Sequence, residues 1–375
     1  MVRKIKIAAV QMAGQPASVG DRLAHAEEFV VEAAAGGAQL VVLPEVFNTG
    51  YEYADENYHR AESMDGPTIT WMKDTAARLD IHLAGTLFVL DEEDIYNSMV
   101  IVAPDGRLWR YDKMFPWAWE RATFREGGGI TVADTDLGRL GMLVCWDAMH
   151  ADLWARYAGK IDAMIVCSCP PQPHRITVCF PDGQQLAAAD ASPLIRQMSH
   201  DADETFGALL RRQAAHLGVP VVNTTAFGEF SSAIPAPLPA LVGYTLFKPE
   251  FWSFLRQADQ IKIASTYFTE TYIADAAGNV LAQVPEGEGR VLTAVELADE
   301  RPPVVAPLSY GLSPLTYILF DWLLPALLVP VYRRGVRRTY GSQMAPVSPQ
   351  TKLWLVVLML FSGLGALLGR SGRRR

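Results

Sequence analysis

At 375 residues, 50% hydrophobic and 20% charged, the chain has room for one large α/β domain with additions, or two domains, around a sizeable core. Four cysteines without regular spacing argue against a disulfide framework, and no zinc-type Cys/His spacing appears. The net charge of −8 is uneven: nine basic residues and no acidic ones follow Asp321, which leaves −17 on residues 1–321 and argues against a nucleic-acid partner.

Residues 4–10 alternate charged and apolar side chains, as a strand does, and form no continuous apolar leader. Ser18 is placed to N-cap a helix through about residue 35, which Gly36 and Gly37 end. Residues 39–43 form a short buried strand that stops at Pro44-Glu45. Pro67 opens a helix to about residue 79. Strands are expected at 81–90 and 96–103, joined by the acidic turn Asp91-Glu92-Glu93-Asp94, and at 108–113 after the turn Pro104-Asp105-Gly106-Arg107. Residues 130–135 pair with 139–145 as a hairpin, and a helix at 148–159 follows. A strand at 163–169 leads into an irregular Pro-rich stretch, 170–202. Then come a helix at 204–217, a strand at 220–225, an apolar insert at 230–256 and closing strands at 271–274, 280–284 and 290–295. Strands alternating with helices, plus hairpins, predict a mixed sheet layered with helices.

The end of the chain has a different character. Residues 315–332 are apolar except Thr316 and Asp321 and hold Pro325 and Pro330; residues 353–368 are apolar with two glycines. Against the roughly 17–25 residues of a spanning helix, both runs are short or marginal. Arginines flank both, and the missing acids predict contact with an anionic membrane surface. The expected arrangement is a catalytic body at 1–302, on the cytoplasmic side, held by a basic tail at 303–375, whose Pro-broken first run lies in the interface.

Three polar residues close strands: Glu45, Lys113 and Cys145. In layered α/β folds, residues at carboxyl ends of strands converge. Where strand Gly138 to Val144 gives way to a helix, backbone N–H groups and the helix dipole would favour a Cys145 thiolate. A carboxylate, an ammonium and a thiol together suit attack on carbon bonded to nitrogen. The carboxylate moves the proton, the thiol forms a thioester or thioimidate, and the ammonium with the Trp146 N–H stabilises the developing anion.

These stretches resemble the nitrilase superfamily of carbon–nitrogen hydrolases. Val41-Val42-Leu43-Pro44-Glu45-Val46-Phe47-Asn48-Thr49-Gly50-Tyr51 is similar to its glutamate motif, Tyr111-Asp112-Lys113-Met114-Phe115 to its lysine motif, and Gly141-Met142-Leu143-Val144-Cys145-Trp146-Asp147 to its cysteine motif. Residues 210–223 and 271–297 are similar to its late helix–strand unit and closing hairpin. The resemblance covers about residues 4–298. It implies a four-layer αββα sandwich and assembly into homo-oligomers; the C-terminal hydrophobic helical tail has no counterpart in ordinary soluble members. It also implies a second glutamate after the lysine. Glu120, in Pro116-Trp117-Ala118-Trp119-Glu120-Arg121, is the candidate and Glu126 the runner-up; a surface ion pair with Arg121 is the plain alternative for Glu120. Tyr51 and Trp146 are the candidate substrate-binding residues.

The expected activity is hydrolysis of a non-peptide carbon–nitrogen bond by an amidase. A nitrilase, an N-acyltransferase and a catalytically silent membrane scaffold are the alternatives. The insert at 230–256 suggests an entrance for an amphipathic, lipid-like amide or nitrile, or else a surface that packs on the tail or a partner copy. No phosphate loop, dinucleotide fingerprint or metal cluster is present, so no cofactor and no metal are implied.

Overall fold

The computed structural model describes residues 3–191, 196, 205–245, 248–298 and 312–341. In chain order the strands are β1 (Arg3–Ala13), β2 (Leu40–Val42), β3 (His82–Asp91), β4 (Asp94–Val102), β5 (Leu108–Asp112), β6 (Val132–Thr135), β7 (Gly138–Val144) and β8 (Ala163–Ser168). They continue as β9 (Thr177–Cys179), β10 (Gln185–Ala187), β11 (Val221–Phe227), β12 (Glu229–Ala233), β13 (Lys262–Thr266), β14 (Tyr272–Ala274), β15 (Val280–Gln283) and β16 (Gly289–Leu297).

Two six-stranded halves face each other. One runs β5-β4-β3-β2-β1-β16, the other β6-β7-β8-β11-β14-β15; they join where Met12 and Ala13 pair with Ala226 and Phe227. The alternation in β1 shows why the layers form. Ile5, Ile7 and Ala9 pack with Leu140, Met142 and Val144 of the opposite half, while Ala8, Val10 and Met12 pack under the helices Val19–Ala35 and Pro67–Leu79. The helices Ala151–Tyr157 and Leu210–Leu217 cover the other half through Trp154, Tyr157 and Leu210. The result is the expected αββα sandwich.

Local chemistry sets the element ends. The Ser18 hydroxyl accepts from the Asp21 N–H at 3.1 Å, and Gly37, at φ 85°, carries the chain out of that helix. Pro67 stands in the first turn of its helix. The expected helix at 148–159 is shorter: a 3-10 turn, Cys145–Met149, comes first, and the α-helix occupies Ala151–Tyr157.

The described residues of the two long connections hold more regular structure than the sequence suggested. β9, β10, β12 and β13 form a separate four-stranded sheet, in the order β10-β9-β13-β12. β9 and β10, from the stretch expected as irregular, and β12, from the insert, therefore meet through β13. Helical segments Pro237–Thr245 and Pro249–Gln260 finish the insert and bury Leu241, Phe251 and Phe254 against Phe180 and Val178. Burying such a side chain gives about 1.5–3 kcal/mol, which an open loop would forgo.

The first tail run is not broken at its prolines. A continuous helix spans Pro314–Tyr340, 27 residues, long and apolar enough by length and composition to cross a membrane. A π-helical segment, Ile318–Leu323, precedes Pro325, whose missing N–H then falls in the first turn of the following α-helical stretch. This helix lies against the sandwich. Tyr332 accepts from the Ile95 N–H (2.9 Å) and donates to Asp94 Oδ1 (2.8 Å), and Gly335 meets the Tyr58 ring so closely that a Cβ would clash. The second apolar run, residues 353–368, lies outside the described residues.

Candidate active site

Glu45 follows β2, Lys113 follows β5 and Cys145 follows β7. β2 and β5 lie in one half of the sandwich, separated by β3 and β4, and β7 in the other, so the site forms where the two halves face each other. Cys145 has φ 50°, in the left-handed region that a residue with a Cβ enters at a cost of roughly 1–3 kcal/mol. Val46, beside Glu45, is held likewise at φ 51°, with its N–H on Thr86 Oγ1 at 2.8 Å.

The four charged or nucleophilic candidates come together. Lys113 Nζ donates to Glu45 Oε1 at 2.9 Å and to Glu120 Oε2 at 2.7 Å, and none of the three is more than 1% exposed along its side chain. Asn97, on β4, donates to Glu45 Oε1 at 2.7 Å. The Cys169 N–H, just past β8, donates to Glu45 Oε2 at 2.9 Å and also faces the Cys145 thiol. Cys169 Sγ donates to the same carboxylate oxygen at 3.0 Å. Glu120 is thus a buried partner of the ammonium, and Glu126, half exposed, is the residue that pairs with Arg121, at 3.4 Å. Tyr51 donates its hydroxyl to Glu120 Oε1, and Trp117 N–H donates to Oε2 at 2.6 Å.

The electrostatics follow from one ammonium between two carboxylates. Burial alone would lower Lys113; Glu120 and Glu45 override it and hold the ammonium well above the ordinary lysine range. Burial raises Glu120, and Lys113 opposes that rise. Burial also pushes the Cys145 thiol well above its usual range, with Glu45 adding to the rise and Lys113 opposing it. The helix-dipole expectation is therefore corrected. The turn at Cys145 is too short to offset burial beside two carboxylates, and the resting group is a thiol that needs a base. Carboxymethylation of Cys145 should accordingly stay slow through neutral pH and accelerate only above the ordinary thiol value of about 8.5. Peptide mass spectrometry against pH measures this, and a rate already at plateau by neutrality would contradict a resting thiol.

Asp147 is the main residue at the site that the sequence did not single out. Its carboxylate is fully buried and accepts from the Phe115 N–H (2.7 Å), the Tyr111 hydroxyl (2.8 Å) and the N–H groups of Val144 and Met114 (both 3.3 Å). It thereby ties the turn after Lys113 to the bend carrying Cys145. An Asp two positions beyond the cysteine, in the first turn after a strand, was a capping signal. Asn97 and Cys169 had no such signal, because nothing local marks a mid-strand Asn or a buried Cys. Trp146 is nearly buried, and its indole N–H reaches the C-terminal helix at Asp321 Oδ1, 3.2 Å away. Phe230, from the insert sheet, packs on Tyr51 and Tyr53 with ring centroids 6.0 and 5.7 Å away, so the insert walls the Glu120 side of the site.

A buried thiol on a left-handed bend, beside a Glu–Lys–Glu cluster between the halves of an αββα sandwich, defines a cysteine-centred α/β protein of the nitrilase fold. The carbon-nitrogen hydrolase family model matches residues 6–301, and the chain belongs to that family. Among curated relatives, a nitrilase of Pyrococcus abyssi is 33% identical over 147 residues, covering 38% of this chain and 56% of that protein. A cyanide hydratase of Pyrenophora teres f. teres is 29% identical over 185 residues, covering 45% and 50%. The chain thus spans about half the length of the curated relatives it matches. Among solved structures, a CN-hydrolase superfamily protein of Xanthomonas campestris gives a TM-score of 0.56 at 17% identity, over 92% of this chain and all of that one. An amidase from Nesterenkonia sp. gives 0.56 at 16%, over 79% and 91%, and these two likenesses bear on the fold.

Proposed function

We propose that this carbon–nitrogen hydrolase is an amidase that works through Glu45, Lys113, Cys145 and Glu120. The observation that carries the reading is the buried Glu45–Lys113–Glu120 cluster at 2.9 and 2.7 Å beside a thiol held protonated by burial. Glu45 takes the Cys145 proton as sulfur attacks the amide carbon. The carbonyl oxygen gains negative charge, which the Lys113 ammonium and the Trp146 N–H stabilise. Collapse of the tetrahedral adduct breaks the C–N bond, Glu45 returns the proton to the departing amine, and a thioester remains. Water, deprotonated by Glu45, attacks the thioester and releases the acid and the thiol. Glu120, held by Tyr51 and the Trp117 N–H, fixes the ammonium and presents a carboxylate edge to the amide N–H.

A nitrile substrate is the second reading, favoured by the relatives named nitrilase and cyanide hydratase. The same groups would then give a thioimidate. Ammonia release from matched primary amides and nitriles of increasing chain length separates the two. Release from amides alone supports the amidase; release from nitriles alone overturns it. Neither, with an added amine acylated instead, would point to acyl transfer.

The proposal extends to a membrane surface and a lipid-like substrate. Leu315, Ile318 and Trp322, exposed by 56, 48 and 78%, line the outer side of the C-terminal helix, and Arg333, Arg334, Arg337 and Arg338 follow on exposed turns. Removing residues 303–375 is expected to abolish flotation with anionic lipid vesicles. A shortened chain that floats as fully as the intact one would overturn the tail as the anchor.

A further inference from the structure

Asp321 is the last acidic residue of the chain, and the proposed reaction makes no use of it. It lies in the π-helical segment Ile318–Leu323, where the wider turn directs its carboxylate, 10% exposed, toward the sandwich while the next residue, Trp322, points outward. One carboxylate oxygen, Oδ1, accepts from the indole N–H of Trp146 at 3.2 Å. The other, Oδ2, stands 3.1 Å from Nε2 of His150. The second ring nitrogen of His150, Nδ1, stands 3.0 Å from the main-chain carbonyl of Trp146. Phe115 stacks flat on the imidazole, with centroids 3.5 Å apart and planes 7° from parallel, and Tyr317 meets it edge-on at 5.5 Å. The residue next to the nucleophile is therefore gripped twice, by its side chain and by its carbonyl, and both grips lead to one carboxylate on the C-terminal helix.

A carbonyl oxygen only accepts, so Nδ1 of His150 carries a hydrogen and donates it to the Trp146 carbonyl. We propose that His150 and Asp321 are positioning residues that fix Trp146 beside Cys145. Asp321 Oδ1 holds the indole directly, and Oδ2 holds the His150 ring that in turn holds the Trp146 carbonyl.

The test compares Asp321→Asn with Asp321→Ala in the full-length protein. An Asn places a carbonyl oxygen on the indole N–H and an amide N–H toward Nε2, so it can reproduce both contacts without the charge. Indole 15N–1H NMR, with the Trp146 signal identified by its absence in Trp146→Phe, is expected to show that signal displaced in Asp321→Ala and returned close to its wild-type position in Asp321→Asn. The kinetic arm rests on the hydrolase reading and uses the best amide or nitrile of the panel. Asp321→Ala is expected to lose about ten- to a hundredfold in kcat/KM, the scale of a displaced site group. Asp321→Asn should recover most of that loss. An unmoved Trp146 signal or wild-type kinetics in Asp321→Ala, or equal losses in the two variants, would each overturn the inference. If no substrate in the panel is hydrolysed, the hydrolase reading fails, while the NMR result still decides whether Asp321 holds Trp146.

Discussion

Replacing Cys145 by Ala should remove turnover, with a loss of at least about 10³-fold in kcat, because every bond-making step of the proposed reaction passes through its sulfur. The fold should survive. Ala fits the left-handed bend at φ 50° no worse than Cys, and the bend is pinned by the Asp147 carboxylate on the Val144 N–H and by the Ala148 and Met149 side chains in the core. Ammonia release measures the first expectation and the urea midpoint the second. Cys167 and Cys169 cannot substitute for the lost thiol. Burial holds Cys167 up at about 12, with its Sγ donating to the Leu43 carbonyl at 3.2 Å, and Cys169 is buried with its sulfur on Glu45. Residual turnover within tenfold of wild type would remove Cys145 from the reaction.

Lys113→Met should cost both activity and stability. It deletes the cation between Glu45 and Glu120 and leaves two carboxylates facing each other out of water. Breaking a buried pair by removing one partner costs ~3–5 kcal/mol, whereas removing both partners is far milder. The double variant Lys113→Met, Glu120→Gln should therefore recover part of the stability while remaining inactive. Urea unfolding of the single and double variants measures this. Equal destabilisation in both would mean that the ammonium is not the group holding the two carboxylates together. The sign with pH is also fixed. Burial acts first to lower Lys113, the two carboxylates raise it well above its ordinary value, and a cation so raised contributes stability that persists through neutrality and is lost only in strongly alkaline solution. Lys113→Met should therefore separate from wild type across the neutral range, and not at one end of it.

Much of the sandwich was legible from period and punctuation. The alternation of β1, the Ser18 cap, Pro67 in a first turn and the acidic tip between β3 and β4 are local signals, and each appears where it was expected, with the β3–β4 turn tightened to Glu92-Glu93. Glu45, Lys113 and Cys145 could be found because each ends a strand, and strand ends are readable from apolar runs that stop. Glu120 needed the resemblance, since its own neighbourhood suggests a surface ion pair with Arg121 as readily.

The sequence by itself determined the strand and helix periods, the three strand-end residues and the charge break after Asp321, because these depend on neighbours a few positions apart. The tertiary structure decided the rest. Whether Cys145 is a thiol or a thiolate depends on burial beside Glu45 and Glu120, and no local helix turn reports that. The pairing of β9 with β13 sets Cys179 beside Lys262, far apart in the chain, so neither segment shows a partner in its own composition. The first apolar run of the tail reads alone as a proline-broken stretch. In the fold it is a continuous helix whose single carboxylate, Asp321, reaches Trp146 and His150, 175 and 171 positions earlier in the chain. A hydrogen bond of about 3 Å between residues so far apart is a property of packing, and only the packed chain contains it.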